Sequence, residues 1–165
     1  MTVISSQKDP EKLTMTMVAE FEAEPHRVWQ VLEDPRKLER WWGPPGYPAT
    51  FTRYEFEPGG QCRYHMTGPE GRGNGGWWRI DAIEPLKRLN FANGLCGPDG
   101  EPAPDMEPVM GEITLEAVDG GTRMTAFNQF ADTAQMEQLL GWGMEEGMKL
   151  AIGQIDGILE TQVAA

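Results

Sequence analysis

Asp34-Pro35-Arg36-Lys37-Leu38-Glu39-Arg40-Trp41-Trp42-Gly43-Pro44 is the stretch on which the fold turns. Asp followed by Pro signals a helix start: the carboxylate caps free N–H groups, and proline's missing N–H costs nothing in the first turn. A short helix is therefore expected from this point to Trp41, and Gly43-Pro44-Pro45-Gly46 breaks it. Two adjacent tryptophans at that break form a bulky apolar wedge. A wedge of this kind closes a core or lines a pocket.

Upstream, Pro25 opens another short helix whose apolar stripe is Val28, Trp29, Val31 and Leu32. Before it, residues 13–23 alternate and are rich in Thr, Val and Phe. They read as a first strand with Met15, Met17, Ala19 and Phe21 on one face. Residues 1–12 are polar, lack the layout of a signal peptide, and read as a flexible leader to one domain over 13–162.

Downstream, residues 49–57 and 61–67 read as strands meeting at Pro58-Gly59-Gly60, a hairpin signal. Residues 68–76 hold five glycines and one proline and read as a mobile turn. Residues 77–83 and 89–95 form the next pair. The Pro/Gly-rich tract 97–108 carries no element of its own, and its Asp99, Glu101, Asp105 and Glu107 suit either an acidic lid or a disordered connection. Residues 109–118 and 122–130 close the sheet through Asp119-Gly120-Gly121.

The chain ends in a helical pattern that Asp132 caps, with Gln135 three residues on, as in a capping box. About 30 residues at ~1.5 Å each give a rod of roughly 45 Å. Met144, Met148, Ala151, Ile155 and Leu159 recur at helical spacing and form its sheet-facing side. Gly141, Gly143, Gly147, Gly153 and Gly157 interrupt it, each costing ~1 kcal/mol relative to Ala. Either a close approach of sheet, ligand or partner, or a bend in the helix, accounts for them. The order of elements is α+β: a curved antiparallel sheet wrapped around a long C-terminal helix, with two short helices after the first strand. This is the helix-grip arrangement.

At 165 residues the chain is long enough for one self-sufficient core. The net charge of −12 opposes phosphate-gripping partners, so neither nucleic acid nor an anionic membrane surface is expected. No apolar run approaches the length that spans a bilayer. Two cysteines, Cys62 and Cys96, make no disulfide framework, and a reducing cytoplasm is the expected location. Monomer and homodimer are equally compatible with the sequence.

Taken in order, several pieces resemble the START-like (SRPBCC) superfamily, and within it the single-domain relatives of the activator of heat-shock protein 90 ATPase. They are Pro25, Val28 and Trp29; Asp34-Pro35 with Leu38; Trp41-Trp42-Gly43-Pro44; Pro58-Gly59-Gly60; and Met66 with Gly68-Pro69 and Gly71. Glu84-Pro85 with Leu89 and Phe91, Gly120-Gly121-Thr122-Arg123 and Gly141-Trp142 continue the series. The resemblance implies a helix-grip fold with a cavity. It leaves activity open, because such domains include hydrophobic-ligand carriers, polyketide cyclases and co-chaperone modules. The eukaryotic activator also owns an N-terminal chaperone-binding domain to which nothing here corresponds, so direct chaperone activation is not expected.

Strand parity selects the cavity-facing residues. Cys62, Tyr64 and Met66 form the less polar face of their strand, and Thr52, Tyr54 and Phe56 are the matching set on the one before. Trp78, Ile80, Phe91, Asn93, Ile113, Leu115, Met124, Ala126 and Asn128 follow on later strands, with Met144, Met148, Ala151 and Ile155 as the roof. Trp41 and Trp42 are expected to divide, one in the core and one at the cavity mouth. The candidate ligand-binding set is Trp41, Trp42, Tyr54, Phe56, Cys62, Tyr64, Met66, Trp78, Asn128, Met144, Met148 and Ile155. Two readings stay open: an adaptable apolar pocket, or the same side chains interdigitated as a filled core.

No catalytic residue, metal site or cofactor is expected. Cys62 has no histidine on its parity, and His26 and His65 fall on outer faces. Asp81, Glu112 and Glu116 point to solvent, and no Cys/His set has zinc spacing. Gly71-Arg72-Gly73-Asn74-Gly75-Gly76 lacks the lysine and helix of a phosphate loop. Three functions follow in order. The first is a non-catalytic domain for a small hydrophobic or aromatic molecule. The second is a cyclase or hydratase in which Tyr64 or Tyr54, with Asn128 or Asn93, polarises a carbonyl. The third is a co-chaperone-type interaction module.

Overall fold

A computed structural model describes residues 4–43, 45–68 and 75–164, with side chains up to residue 160. The phosphate-loop lookalike and most of the glycine-rich turn lie outside the described residues. Gly75 and Gly76 belong to a strand.

The elements run β1 (Ile4–Asp9), β2 (Thr14–Phe21), α1 (Pro25–Glu33), α2 (Pro35–Leu38), β3 (Ala49–Tyr54), β4 (Gln61–Met66) and β5 (Gly75–Glu84). They continue as β6 (Arg88–Leu95), β7 (Val109–Val118), β8 (Gly121–Gln129), α3 (Thr133–Gly141), α4 (Met144–Gly153) and α5 (Ile155–Ala164). The strands form one antiparallel sheet in the order β1-β2-β8-β7-β6-β5-β4-β3. This is the α+β helix-grip fold that the pattern indicated, with a curved sheet and a helical layer on its inner face.

Period-2 alternation sets the inner face. Met15, Met17, Ala19 and Phe21 of β2 are all buried. Opposite them in register stand Asn128, Ala126, Met124 and Thr122 of β8. On the next strands Ile113, Leu89 and Phe91 continue the same buried layer. Full burial of side chains of this size contributes roughly 1.5–3 kcal/mol each.

Three expectations are corrected. Residues 4–9, read as part of a flexible leader, form β1 and pair with β2 from Ile4↔Ala19 to Asp9↔Thr14. Ser6 and Lys8 reach across to Glu145 on α4, at 2.8 and 3.0 Å, so polar residues are ordered here by pairing rather than by burial. The two short helices accordingly follow the second strand. In β3 a bulge between Phe51 and Arg53 resets parity, so Phe51 is buried and Thr52 exposed.

The C-terminal helical layer is interrupted rather than one rod. Gly143 adopts φ +90°, a left-handed conformation that ends α3 and starts α4, and the chain breaks again at Gln154. A bend accounts for Gly143. No close approach accounts for Gly141 or Gly157, where an added Cβ would meet open space. Asp132 caps α3 as expected, accepting from Gln135 N–H at 2.7 Å, while Gln135 Oε1 accepts from Ala131 N–H at 2.7 Å.

Gly143→Ala forces an L-residue into the left-handed region and is expected to destabilise by roughly 1–2 kcal/mol. Gly141→Ala, in helical backbone with free space, is expected to stabilise by up to ~1 kcal/mol. Urea unfolding of both variants checks the pair, and opposite signs are the expected result.

Candidate functional site

The site is built around the tryptophan corner. Asp34 caps α2 by accepting from Arg36 N–H at 2.9 Å, which fixes where the short helix begins. Trp41 is buried and donates from Nε1 to the Val31 carbonyl of α1 at 2.9 Å. Trp42 turns the other way, onto the sheet, with its ring edge-on to Trp78 at 4.7 Å and to Tyr64 at 6.2 Å. From the helical layer, Gln154 Nε2 donates to the Gly43 carbonyl at 2.7 Å. The corner thus joins α1, the sheet and the break between α4 and α5.

Between this corner, the sheet and α3–α4 lies a partly enclosed apolar cavity of about 240 Å³. Of the expected lining residues, Trp41, Trp42, Tyr64, Met66, Asn128, Met144 and Met148 are brought together on its walls. Trp41 belongs to the buried core and Trp42 is half-buried against it, and both contribute to the cavity wall. Two glycines shape the floor. The Tyr64 phenol lies directly across Gly76, and the Phe91 ring across Gly111 at 2.8 Å from where a Cβ would stand. Any side chain at either position would displace the ring.

Five expected residues are placed elsewhere. Tyr54 donates its hydroxyl to the Leu32 carbonyl and stacks on Phe56 at 5.6 Å, forming an aromatic cluster beside the cavity. Phe56 also packs edge-on against Trp29 at 5.9 Å. Trp78 and Cys62 are fully buried beneath the lining. Ile155 is fully buried on the same helical face as Ala151, Ile152, Ile158 and Leu159, but it lies beyond the cavity wall. Ile152 stands in the roof instead.

Other lining residues carried no periodic signal. Met106 and Glu107 come from the tract 97–108, and Gln135 and Leu139 from α3. The tract is structured at its base: Cys96 bridges Pro102, Gly97 N–H donates to the Glu101 carbonyl at 2.8 Å, and Arg63 pairs with Glu101 at 3.1 Å. Gln135 Nε2 donates to the Glu107 carbonyl at 2.5 Å, tying the tract to α3. Of its four carboxylates only Glu107 reaches the cavity.

Electrostatically the site is quiet. Burial pushes the Tyr64 hydroxyl up to about 12, while the nearby Trp42 indole N–H pulls the other way without hydrogen-bond geometry. Burial raises Tyr54 well above the ordinary phenol range. Burial likewise raises the Cys62 thiol to about 11, against a smaller opposing hydrogen bond from the Glu55 backbone. Both histidines are exposed, and among the described residues no group of three or more His, Cys, Asp or Glu is placed to hold a metal. No described helix is long and apolar enough to cross a membrane.

A curved antiparallel sheet gripping a helical layer, with a cavity between them, defines a START-like domain, a fold class that supports ligand binding in general. More narrowly, the chain belongs to the family described as Activator of Hsp90 ATPase homolog 1-like protein, whose family model matches residues 22–160. Its fold is similar to that of an Arthrobacter aurescens protein solved by NMR, with 44% identity and a TM-score of 0.91 over 95% of this chain and 91% of that one. A crystal structure of a Mycobacterium smegmatis protein is 38% identical, with a TM-score of 0.88 over 96% and 97% of the two chains. A Rhodobacter sphaeroides protein is 25% identical, with a TM-score of 0.82 over 96% and 99%. No relative among curated proteins matches the sequence.

The raised thiol gives a signed expectation. Cys62 stays protonated in the fold between its ordinary value near 9 and about 11, so its contribution to stability is present below that window and is lost as pH rises through it. At mildly alkaline pH a thiol reagent is expected to label Cys62 only as fast as the protein unfolds, read by mass spectrometry across a urea series.

Gly76→Ala is expected to cost about 1–3 kcal/mol through overpacking against Tyr64. Adding Tyr64→Ala is expected to relieve part of that cost. A double-mutant cycle in urea measures the coupling.

Proposed function

We propose that this chain is a non-catalytic binding domain that encloses a small hydrophobic or aromatic molecule between its sheet and its C-terminal helices. The observation that carries the reading is the apolar cavity of about 240 Å³, which the expected Trp, Tyr and Met side chains line without filling. Apolar walls that solvent can reach are stabilised when an apolar guest covers them.

Gly147 supports the same reading. It lies on α4, lines the cavity, and a Cβ added there would meet open space. Packing does not require glycine here, and alanine would favour the helix by ~1 kcal/mol. Room for a guest is the property that glycine preserves. Met144 and Met148 beside it offer flexible thioether walls that adapt to shape.

The cyclase or hydratase reading needs two polar groups on one guest atom. Tyr54 is committed to Leu32 and lies off the cavity. Tyr64 on β4 and Asn128 on β8 are separated in the sheet by β5, β6 and β7. Asn93 spends its Nδ2 on the Val109 carbonyl at 3.1 Å. These placements favour binding over catalysis.

Native mass spectrometry of freshly purified protein, followed by solvent extraction, tests the proposal. A reproducible small-molecule adduct is expected, and it should be lost in Met148→Trp and in Gly147→Leu, both of which fill the cavity. An adduct that persists in both folded variants would place the guest elsewhere and overturn the reading.

A further inference from the structure

Three side-chain amides line the cavity, and two have conventional partners. Asn93 donates to Val109, while Gln135 both donates to Glu107 and accepts from Ala131. Asn128 is the exception. It is 5% exposed and lines the cavity, yet its one hydrogen-bond contact among the described residues is a weak one, Nδ2 to the Met148 sulfur at 3.9 Å. Whichever way round the amide is set, one polar atom lies against a thioether and the other has no partner. The unpartnered atom is not sealed in the protein interior but opens onto the cavity, where a ligand's polar group can complete it.

The charge of the walls limits what that something is. The described lining contains no Lys, Arg or His, and its carboxylates are Glu107 and Glu112. An anionic ligand would lose its hydration and meet no cation to offset the loss. A neutral amide, ketone or alcohol has no such penalty and offers Asn128 a donor or an acceptor. Size points the same way: an apolar cavity of about 150 Å³ holds one benzene ring. One of about 240 Å³ has room for a two-ring skeleton with a short polar arm.

We infer that the cavity selects uncharged ligands bearing one hydrogen-bonding group, and that Asn128 is the residue that reads this group. The inference rests on the binding reading above and names the ligand class for the same site. Titration calorimetry of the full chain with 1-naphthylacetamide, 1-naphthylacetate and 1-propylnaphthalene separates the two. The amide is expected to bind at least about tenfold more tightly than the near-isosteric acetate at neutral pH, and more tightly than the hydrocarbon. In Asn128→Leu the affinity ratio of amide to hydrocarbon is expected to fall to about one. In the ¹⁵N-labelled wild-type protein, the Asn128 side-chain amide resonances should move with the amide ligand and much less with the hydrocarbon, which keeps the test decisive if the variant folds poorly. Equal binding of amide and acetate, or an amide complex that leaves those resonances unmoved, overturns the inference. Hydrocarbon binding as tight as amide binding overturns it while the cavity reading stands. Binding of none of the three overturns both.

Discussion

The edge-on contact between Trp42 and Trp78, 4.7 Å between ring centroids, holds the architecture together. An aromatic pair of this geometry contributes about 0.5–1.5 kcal/mol beyond its buried area. Its larger effect is positional. With Trp41 bonded to Val31 and Gly43 bonded to Gln154, the contact fixes the helix pair against the sheet and the C-terminal layer against both. The cavity is the space these three bodies leave when the corner holds them apart. A smaller residue at position 42 would let the layers close.

Around that corner, rings and glycines divide the available volume. The ring ends of Tyr64 and Phe91 occupy the places where a Cβ on Gly76 or Gly111 would stand, so each ring keeps close to the sheet. On the opposite wall Gly147 does the reverse and leaves its position open. The same residue type therefore serves two ends: close approach in the sheet and free space in the helix. Between the walls, the methionines can follow whatever shape the guest presents.

The fold was legible because its signals are local. Asp34-Pro35, Asp132 with Gln135, and the tight glycine turns each specify an element boundary through a backbone requirement. Alternation then assigned Met15, Tyr64, Phe91 and Asn128 to the inner face. Part of what was not legible depended on breaks in period. The bulge at Phe51/Arg53 is invisible to a parity count, so Thr52 was assigned to the wrong face. Ile155 keeps the helical stripe and is buried, yet it lies beyond the cavity, since periodicity gives a face and not a position along it. β1 pairs its polar backbone with β2 and needs no apolar pattern to do so. Met106 and Glu107 reach the cavity from an aperiodic tract, where position depends on the bond from Gln135 rather than on any repeat. Cys62 and Trp78 satisfied parity yet sit beneath the lining, since parity gives a side and not a depth.

Trp42 and Met148 face each other across a space that we propose is built to be occupied. A crystal structure of the protein taken directly from cells, with no ligand added, tests it most directly. Continuous density of a non-water molecule is expected against Trp42, Met144 and Met148, with a polar atom within hydrogen-bond distance of Asn128. A cavity closed by rotated Met144 and Met148 side chains, with Asn128 bonded to a protein partner, would contradict it.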